Sequence, residues 1–134
     1  MSDEIKVFEA NFTVTDDVAI HFMGPEITPV LSTPSMINWM EHTCRDNVQS
    51  GLNPGEDTVG MQVDVKHLAA TPVGMKVRVV SKLVKTEGRV FTFEVEAFDE
   101  ADKIGEGSHK RAFVNVAKFE ARLAAKKQRV GNAG

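Results

Sequence analysis

The sequence predicts an α+β fold in which an antiparallel β-sheet wraps around one long central helix. From Pro34 to Ser50, apolar residues recur at the three- and four-residue spacing of a helix. From Val59 to Ala117, four runs instead alternate apolar and polar residues, as in strands with one covered face. A sheet of this kind must cover one face, and only this helix is long enough to cover it.

The segment before the helix is predicted to contain one strand and one long loop. The strand runs from Lys6 to Thr15 and ends at two aspartates. Glycine and proline residues make the stretch from Val18 to Pro34 a loop. This loop has more apolar residues than an exposed loop needs, so we expect it to fold over another part of the protein.

The long helix has clear start and stop signals. Thr33 is a good N-cap, and Pro34 suits the first helical position, where its missing N–H does no harm. The helix is expected to end near Ser50, because Gly51 is a typical residue at the C-terminal end of a helix.

The rest of the chain is predicted to form an antiparallel meander and a short C-terminal helix. Each strand is expected to pair with the next one along the chain, around the central helix, which is the hotdog fold. The edge strands of such a sheet favour a dimer or a higher oligomer. The predicted elements are strands Val59–Ala70, Met75–Thr86, Arg89–Phe98 and Ile104–Ala117, helix Lys118–Lys127 and a frayed tail, Arg129–Gly134.

Length and composition favour a single domain inside the cell. With 134 residues, 42% of them hydrophobic, residues 1–134 are predicted to form one domain around one core. A net charge of −3 argues against nucleic-acid binding driven by bulk charge. No apolar run is as long as a membrane span, and the acidic N-terminus lacks the regions of a signal peptide. We therefore expect a cytoplasmic protein with no membrane association.

Glu41 stands where burial should exclude a carboxylate. At 100° per residue it falls on the apolar arc of the helix. One interpretation places it at the rim of the arc, reaching solvent or an arginine. The other makes it a general base or nucleophile in a desolvated site. The arc is formed by Met36, Ile37, Met40, Cys44 and Val48.

His67 is a second polar residue on an apolar face. It shares the strand face with Met61, Val63, Val65 and Ala69. A lone histidine of this kind is more often a hydrogen-bonded core residue than a catalyst. Its position near the end of the strand favours a functional role, because sites gather where elements end and loops begin.

Thr33, Glu41 and His67 can be linked into one hydrogen-bonded chain. Eight residues of helix separate Thr33 from Glu41 by about 12 Å of axial rise, and a glutamate side chain leans back toward the N-terminus. An imidazole with a hydrogen bond at each nitrogen can bridge the remainder. The spacing therefore permits a Glu–His–Thr chain, within one subunit or across a dimer interface.

Other motifs predict no additional site. Cys44 lies mid-helix in apolar company and reads as a small core residue. The Gly105–Gly107 string lacks the third glycine and the following helix of a dinucleotide-binding loop. The histidines without a partner at metal-ligand spacing are His21, His42 and His109, so no metal is expected.

Three segments carry motifs that occur together in one family. They are Ser32–Glu41, Gly60–Gly74 and Ile104–Arg111, with the strings His-x-Ala-Ala-Thr-Pro-x-Gly and Gly-x-Gly-x-His-x-Arg. From Val30 to Phe119 the chain resembles the fluoroacetyl-CoA thioesterase family of hotdog proteins. The resemblance implies a homodimer that hydrolyses an acyl-CoA thioester, with no metal and no cofactor apart from the coenzyme A of the substrate.

The resemblance also assigns roles to particular residues. Thr33, Glu41 and His67 match the catalytic threonine, glutamate and histidine of the family, and the apolar loop Ile20–Leu31 is expected to cover the acyl group. Glu41 would act as nucleophile or base, and His67 would move a proton to the departing thiolate near the helix N-terminus, whose N–H groups stabilise an oxyanion. The residues expected to bind substrate are Gly60, Phe22, Pro34, Met36, Ala69 and Arg111.

Two features affect the expected substrate. The segment from His21 to Thr33 is shorter than in the fluoroacetyl-specific member and has only Phe22 in place of a phenylalanine pair that acts as a lid. This difference favours a short-chain or other acyl-CoA as substrate. The candidates for contact with the CoA phosphates, which a solvated sheet face explains equally well, are Lys76, Arg78, Lys82, Lys110, Arg111 and Lys118.

Two alternative functions remain open at this stage. The chain could be a hotdog hydratase acting on enoyl thioesters, since that reaction also needs an acid and a base beside a thioester. Asp16 and His21 match the Asp-x-x-x-x-His spacing of such hydratases, but they lie in a loop without the following helix, so we interpret the match as coincidence. The other alternative is a non-catalytic acyl-CoA binder with Glu41 and His67 as a structural pair.

Overall fold

The chain folds into a five-stranded antiparallel sheet that packs around one long helix. The computed structural model describes residues 5–131. The sheet has the strand order β1-β5-β6-β7-β4, and helix α1 contacts all five of its strands. This confirms the predicted α+β hotdog architecture. The elements are β1 Lys6–Thr13, β2 Ala19–Ile20, β3 Val30–Leu31, α1 Thr33–Gln49, β4 Glu56–His67, β5 Lys76–Glu87, β6 Val90–Phe98, β7 Lys103–Asn115 and α2 Val116–Gly131, with a 3-10 turn at Asp16–Val18.

The predicted four-strand meander is wrong in one respect, the position of β4. Strands β5, β6 and β7 do follow one another as antiparallel neighbours, but β4 pairs with β7 at the far edge of the sheet. The connection over residues 68–75 is long enough to cross from that edge to β5. As a consequence, the strand that carries His67 has one side without a neighbouring strand among the residues described.

The N-cap of α1 is Ser32 rather than the predicted Thr33. Ser32 has extended backbone angles, and its hydroxyl oxygen accepts a hydrogen bond of 3.2 Å from the Ser35 N–H. Thr33 is the first residue of the helix, so its hydroxyl is not used for capping. The adjacent Ser and Thr are chemically equivalent cap candidates, and only the backbone conformation decides between them.

The core lies between the inner face of α1 and the sheet. Helix and sheet approach closely at Gly105, where a Cβ would lie 2.7 Å from Sδ of Met36. Met36, predicted to bind substrate, is instead fully buried at this contact, because its side chain faces the sheet. Burial of Cys44 raises the pKa of its thiol to about 12, which agrees with a core residue rather than a nucleophile.

Helix α2 is longer than the sequence indicates. It begins at Val116 and continues to Gly131, so Arg129–Gly131, which the sequence placed in a frayed tail, are helical. Residues 132–134, the rest of that tail, lie outside the described part of the chain. Among residues 5–131, neither helix combines the length and the apolar character needed to span a bilayer.

Candidate active site

The N-terminus of α1 and the end of β4 bring two of the predicted site residues together. A hydrogen bond of 2.7 Å joins the Thr33 hydroxyl oxygen and Nδ1 of His67. The Thr33 hydroxyl is free to make this contact because Ser32 caps the helix, and β4 ends beside the start of the helix. The hydroxyl therefore fixes the imidazole ring and directs its other nitrogen, Nε2, away from the helix.

Nε2 of His67 is available for chemistry. This nitrogen is buried and has no hydrogen-bond partner among residues 5–131. Burial lowers the pKa of His67 below its ordinary value, so the ring favours its neutral form. A neutral imidazole with one anchored and one free nitrogen is suited to accept and pass on a proton.

A cavity of about 490 Å³ opens beside the Thr33–His67 pair. This volume falls in the usual range for sites that bind small molecules. Three residues predicted to bind substrate, Phe22, Pro34 and Ala69, line it, whereas Gly60 and Arg111 do not. The paired strands β2 and β3 form one wall and hold the loop over residues 21–29 at the cavity mouth. The remaining lining residues are Ile20, Val30, Leu31, Ser32, Leu68 and Ala70.

Glu41 lies in a separate group of residues over the middle of β4. Its side chain is 38% exposed, and Oε2 lies 3.6 Å from Nη1 of Arg111. This is the position that the first interpretation of the helical pattern gave it, at the rim and facing an arginine. The carboxylate also lies directly above Gly60, where a Cβ would be 2.6 Å from Oε2. Any side chain at residue 60 would displace the carboxylate.

Arg111 is buried and held rigidly. Its Nε donates to the Thr58 hydroxyl at 2.7 Å, and its Nη2 donates to the Thr58 carbonyl at 2.9 Å. Because the guanidinium is turned inward, it faces Glu41 and is not one of the cations that can meet a phosphate at the surface.

His109 is buried beside Glu41 and Arg111, although the sequence patterns were not used to assign it to this group. Its ring contacts Arg111 through Nε2, at 3.2 Å from Nη1. A signal was available, because residues 105, 107, 109 and 111 alternate along β7 and must share the face that looks toward α1. Glu41 and Arg111 were both candidates, and the strand periodicity places His109 beside them.

The three predicted catalytic residues thus form two partial sites within one chain. Thr33 and His67 are in contact, whereas no hydrogen bond or ion pair within the described residues links Glu41 to His67. In the same range, no group of three or more His, Cys, Asp and Glu residues is arranged to bind a metal ion. Together these residues supply a carboxylate, an imidazole and a hydroxyl. These are groups that enzymes use for acid–base catalysis and for nucleophilic attack on an acyl carbon.

Comparison with known proteins identifies close relatives. Residues 14–117 match the family model of the fluoroacetyl-CoA-specific thioesterase. The fluoroacetyl-CoA thioesterase of Streptantibioticus cattleyicolor is 34% identical, over 94% of this chain and 97% of that protein. A solved structure of a fluoroacetyl-CoA thioesterase superposes with a TM-score of 0.81 at 34% identity, over 90% of this chain and 93% of the other. A Thermus thermophilus member of the thioesterase superfamily gives a TM-score of 0.83 at 34% identity, over 98% and 96% of the two chains.

Proposed function

The chain belongs to the fluoroacetyl-CoA-specific thioesterase family, a family of thioester hydrolases with the hotdog fold, and from this membership we propose that it hydrolyses short-chain acyl-CoA esters to the free acid and CoA. The observation that carries the proposal is the anchored His67 ring, whose unpartnered Nε2 lies beside an apolar cavity. The reaction proposed needs no cofactor beyond the coenzyme A of the substrate.

The proposed active unit is a homodimer in which each site combines residues of both subunits. Two features of β4 support this arrangement. It is an edge strand with its outer side open among the described residues, and it exposes Met61 and Val63 to 55% and 39%. Open apolar edges favour pairing with another strand. Antiparallel pairing of two β4 strands around a two-fold axis would bring Glu41 of the partner subunit toward His67, which contacts no carboxylate within residues 5–131 of its own chain.

In the proposed mechanism the thioester carbonyl sits at the N-terminus of α1. Two routes are open to the Glu41 carboxylate. As a general base it takes a proton from a water whose oxygen attacks the carbonyl carbon, and the C–S bond then breaks with its electron pair going to the CoA sulfur. As a nucleophile it attacks the carbon itself and forms an acyl anhydride as the C–S bond breaks, and water then cleaves the anhydride to the free acid and restores the carboxylate. In both routes Nε2 of His67 takes up the proton that came from water, in the first route from Glu41, and passes it to the thiolate, while the Thr33 hydroxyl keeps the ring in place.

One backbone donor in the first turn of α1 is free to stabilise the oxyanion. Pro34 has no N–H, and the N–H groups of Ser35 and Met36 both donate to Ser32, to its hydroxyl and its carbonyl oxygen. The N–H of Thr33 is left without an acceptor within residues 5–131. This N–H lies at the positive end of the helix dipole, where developing negative charge is stabilised.

The proposed specificity follows from the loop over residues 21–29. Its only aromatic side chain, that of Phe22, is 82% exposed and lines the cavity without closing it. The open mouth of the cavity leaves room for acyl groups slightly longer than two carbons. We therefore propose acceptance of several short acyl chains rather than fluoroacetyl-CoA alone.

A panel of acyl-CoA esters tests this function. We expect the purified protein to release free thiol from acetyl-, fluoroacetyl-, propionyl- and butyryl-CoA, with kcat/KM values that differ by about tenfold for each methylene, because a methylene in an apolar pocket changes binding by about 1–3 kcal/mol and the open cavity mouth favours the lower end of that range. The measurement is thiol release against time at several substrate concentrations. Hydration of crotonyl-CoA without any thiol release would identify a hydratase, and tight acyl-CoA binding without turnover would identify a binding protein.

A mixed dimer tests the composite site. If Glu41 and His67 of different subunits act together, a dimer of one Glu41→Gln subunit and one His67→Ala subunit has one complete site. We expect this dimer, isolated through two different affinity tags, to show about half of the wild-type turnover, although each parent dimer is inactive. Sites contained within single subunits would leave the mixed dimer as inactive as its parents.

A further inference from the structure

His109 combines deep burial with two directed polar contacts. The residue is only 1% exposed, and its ring lies 6.3 Å from the Phe93 ring in a stacked arrangement. Nδ1 lies 2.8 Å from the Gln62 carbonyl oxygen, and Nε2 lies 3.2 Å from Nη1 of Arg111. A guanidinium only donates hydrogen bonds, so Nε2 is the acceptor and Nδ1 carries the proton that it donates to Gln62.

These contacts tie His109 to an irregularity in β4. The pairing of β4 with β7 shifts register between Gly60 and Gln62, which marks a β-bulge. A bulge re-aims the residues on either side of it and is common beside active sites. The Nδ1–H of His109 holds the bulge from within, since it donates to the carbonyl of Gln62.

The two sides of the Arg111 guanidinium contact different groups. The Nε–Nη2 edge donates to Thr58, while Nη1 faces both His109 and Glu41. Gly60 leaves the space in which these groups meet, because a Cβ there would lie 2.6 Å from Oε2 of Glu41 and 3.4 Å from Cε1 of His109. The Thr58 bonds hold one edge of the planar guanidinium, and the acceptor at Nε2 of His109 limits its tilt about that edge relative to the carboxylate.

We propose that His109 is a positioning residue for Glu41, which it orients indirectly by accepting a hydrogen bond from Arg111, while its own hydrogen bond to Gln62 holds the ring in place. The proposal rests on the thioesterase function given above. The charged groups that face His109 are Arg111 from β7 and Glu41 from α1, and β4 presents backbone and β6 presents Phe93. Burial, together with the nearby guanidinium, lowers the pKa of His109 below its ordinary 6.5, so the neutral form of the ring predominates at pH 6.5 and above.

Two substitutions distinguish the roles of the two ring nitrogens of His109. In His109→Gln the amide oxygen reaches the place of Nε2 and keeps an acceptor for Arg111. In His109→Asn the shorter amide reaches only the place of Nδ1 and keeps the donor for Gln62. We expect kcat to fall about tenfold or more in the Asn variant, since small misplacements of a reacting group are costly, and to stay within about threefold in the Gln variant, with KM little changed in both.

The same variants show what would overturn the proposal. Wild-type kcat in a folded His109→Asn protein, or equal losses in both variants, would reduce His109 to a packing residue. A second readout does not depend on activity. In ¹⁵N NMR spectra at pH 7, Nδ1 of His109 should carry the proton and the Nη signal of Arg111 should change in the Asn but not the Gln variant; a protonated Nε2 would overturn the assignment. Absence of thiol release by the wild-type protein would count against the proposed function alone.

Discussion

Replacing Glu41 by glutamine should lower the turnover of acyl-CoA about 100-fold or more, the loss typical of a missing acid–base group. The amide has nearly the same shape as the carboxylate but can neither attack the carbonyl carbon nor accept a proton. The protein should stay folded, because the side chain is 38% exposed and its ion pair with Arg111 is long, at 3.6 Å. Arg111 keeps both hydrogen bonds to Thr58 in the variant. The measurement is kcat from thiol release, together with Tm.

A matched control for this variant is Glu120→Gln on the exposed surface of α2. It makes the same chemical change, including the loss of one negative charge, far along the chain from the proposed site. Its turnover should equal that of the wild-type protein. A Glu41→Gln protein that hydrolyses the best substrate at a rate close to wild type would remove Glu41 from the chemistry and leave it as the partner of a buried arginine.

The sequence predicted the individual elements better than their pairing. The helical arc around Glu41 and the alternation through His67 are local patterns, and both residues lie on the predicted elements. The alternation of apolar and polar residues indicates which face of a strand is covered, but it does not indicate which strand lies next to it. The placement of β4 beside β7 therefore depends on the connection over residues 68–75 and on the packing of α1, neither of which has a local signature.

The candidate site was predictable to a similar extent. Thr33 and His67 were proposed as partners and are in contact, although the helix is capped by Ser32. The predicted contact between an inward carboxylate and the imidazole is not made within one chain, because Glu41 is directed toward Arg111. Helical periodicity gives the direction of a side chain about the axis, but not the partner that another strand presents to it. Strand periodicity likewise places His109 beside Arg111 on the inner face of β7, but only the fold shows that Glu41 and the Gln62 carbonyl lie against this pair.

Replacing His67 by alanine should also lower turnover about 100-fold or more, through loss of the proton relay to the thiolate. His67→Asn is the informative companion variant, because its shorter amide can keep the hydrogen bond with Thr33 but cannot transfer a proton. Equal losses in both variants would point to proton transfer rather than to support of Thr33. Added imidazole should partly restore turnover in His67→Ala, where it can occupy the vacated space. Wild-type turnover in the alanine variant would exclude the role.

The pH dependence of kcat/KM provides an independent check on His67. Burial disfavours the imidazolium form and lowers the pKa of His67 below its ordinary 6.5, so the ring is more than half neutral at pH 6.5. The proton relay starts from the neutral ring, and activity is therefore lost only as the pH falls through this lowered pKa. We expect the corresponding acid limb to lie below pH 6.5 and to disappear in His67→Asn, measured by thiol release. An acid limb above pH 6.5, or one that persists unchanged in the variant, would assign the titration to another group.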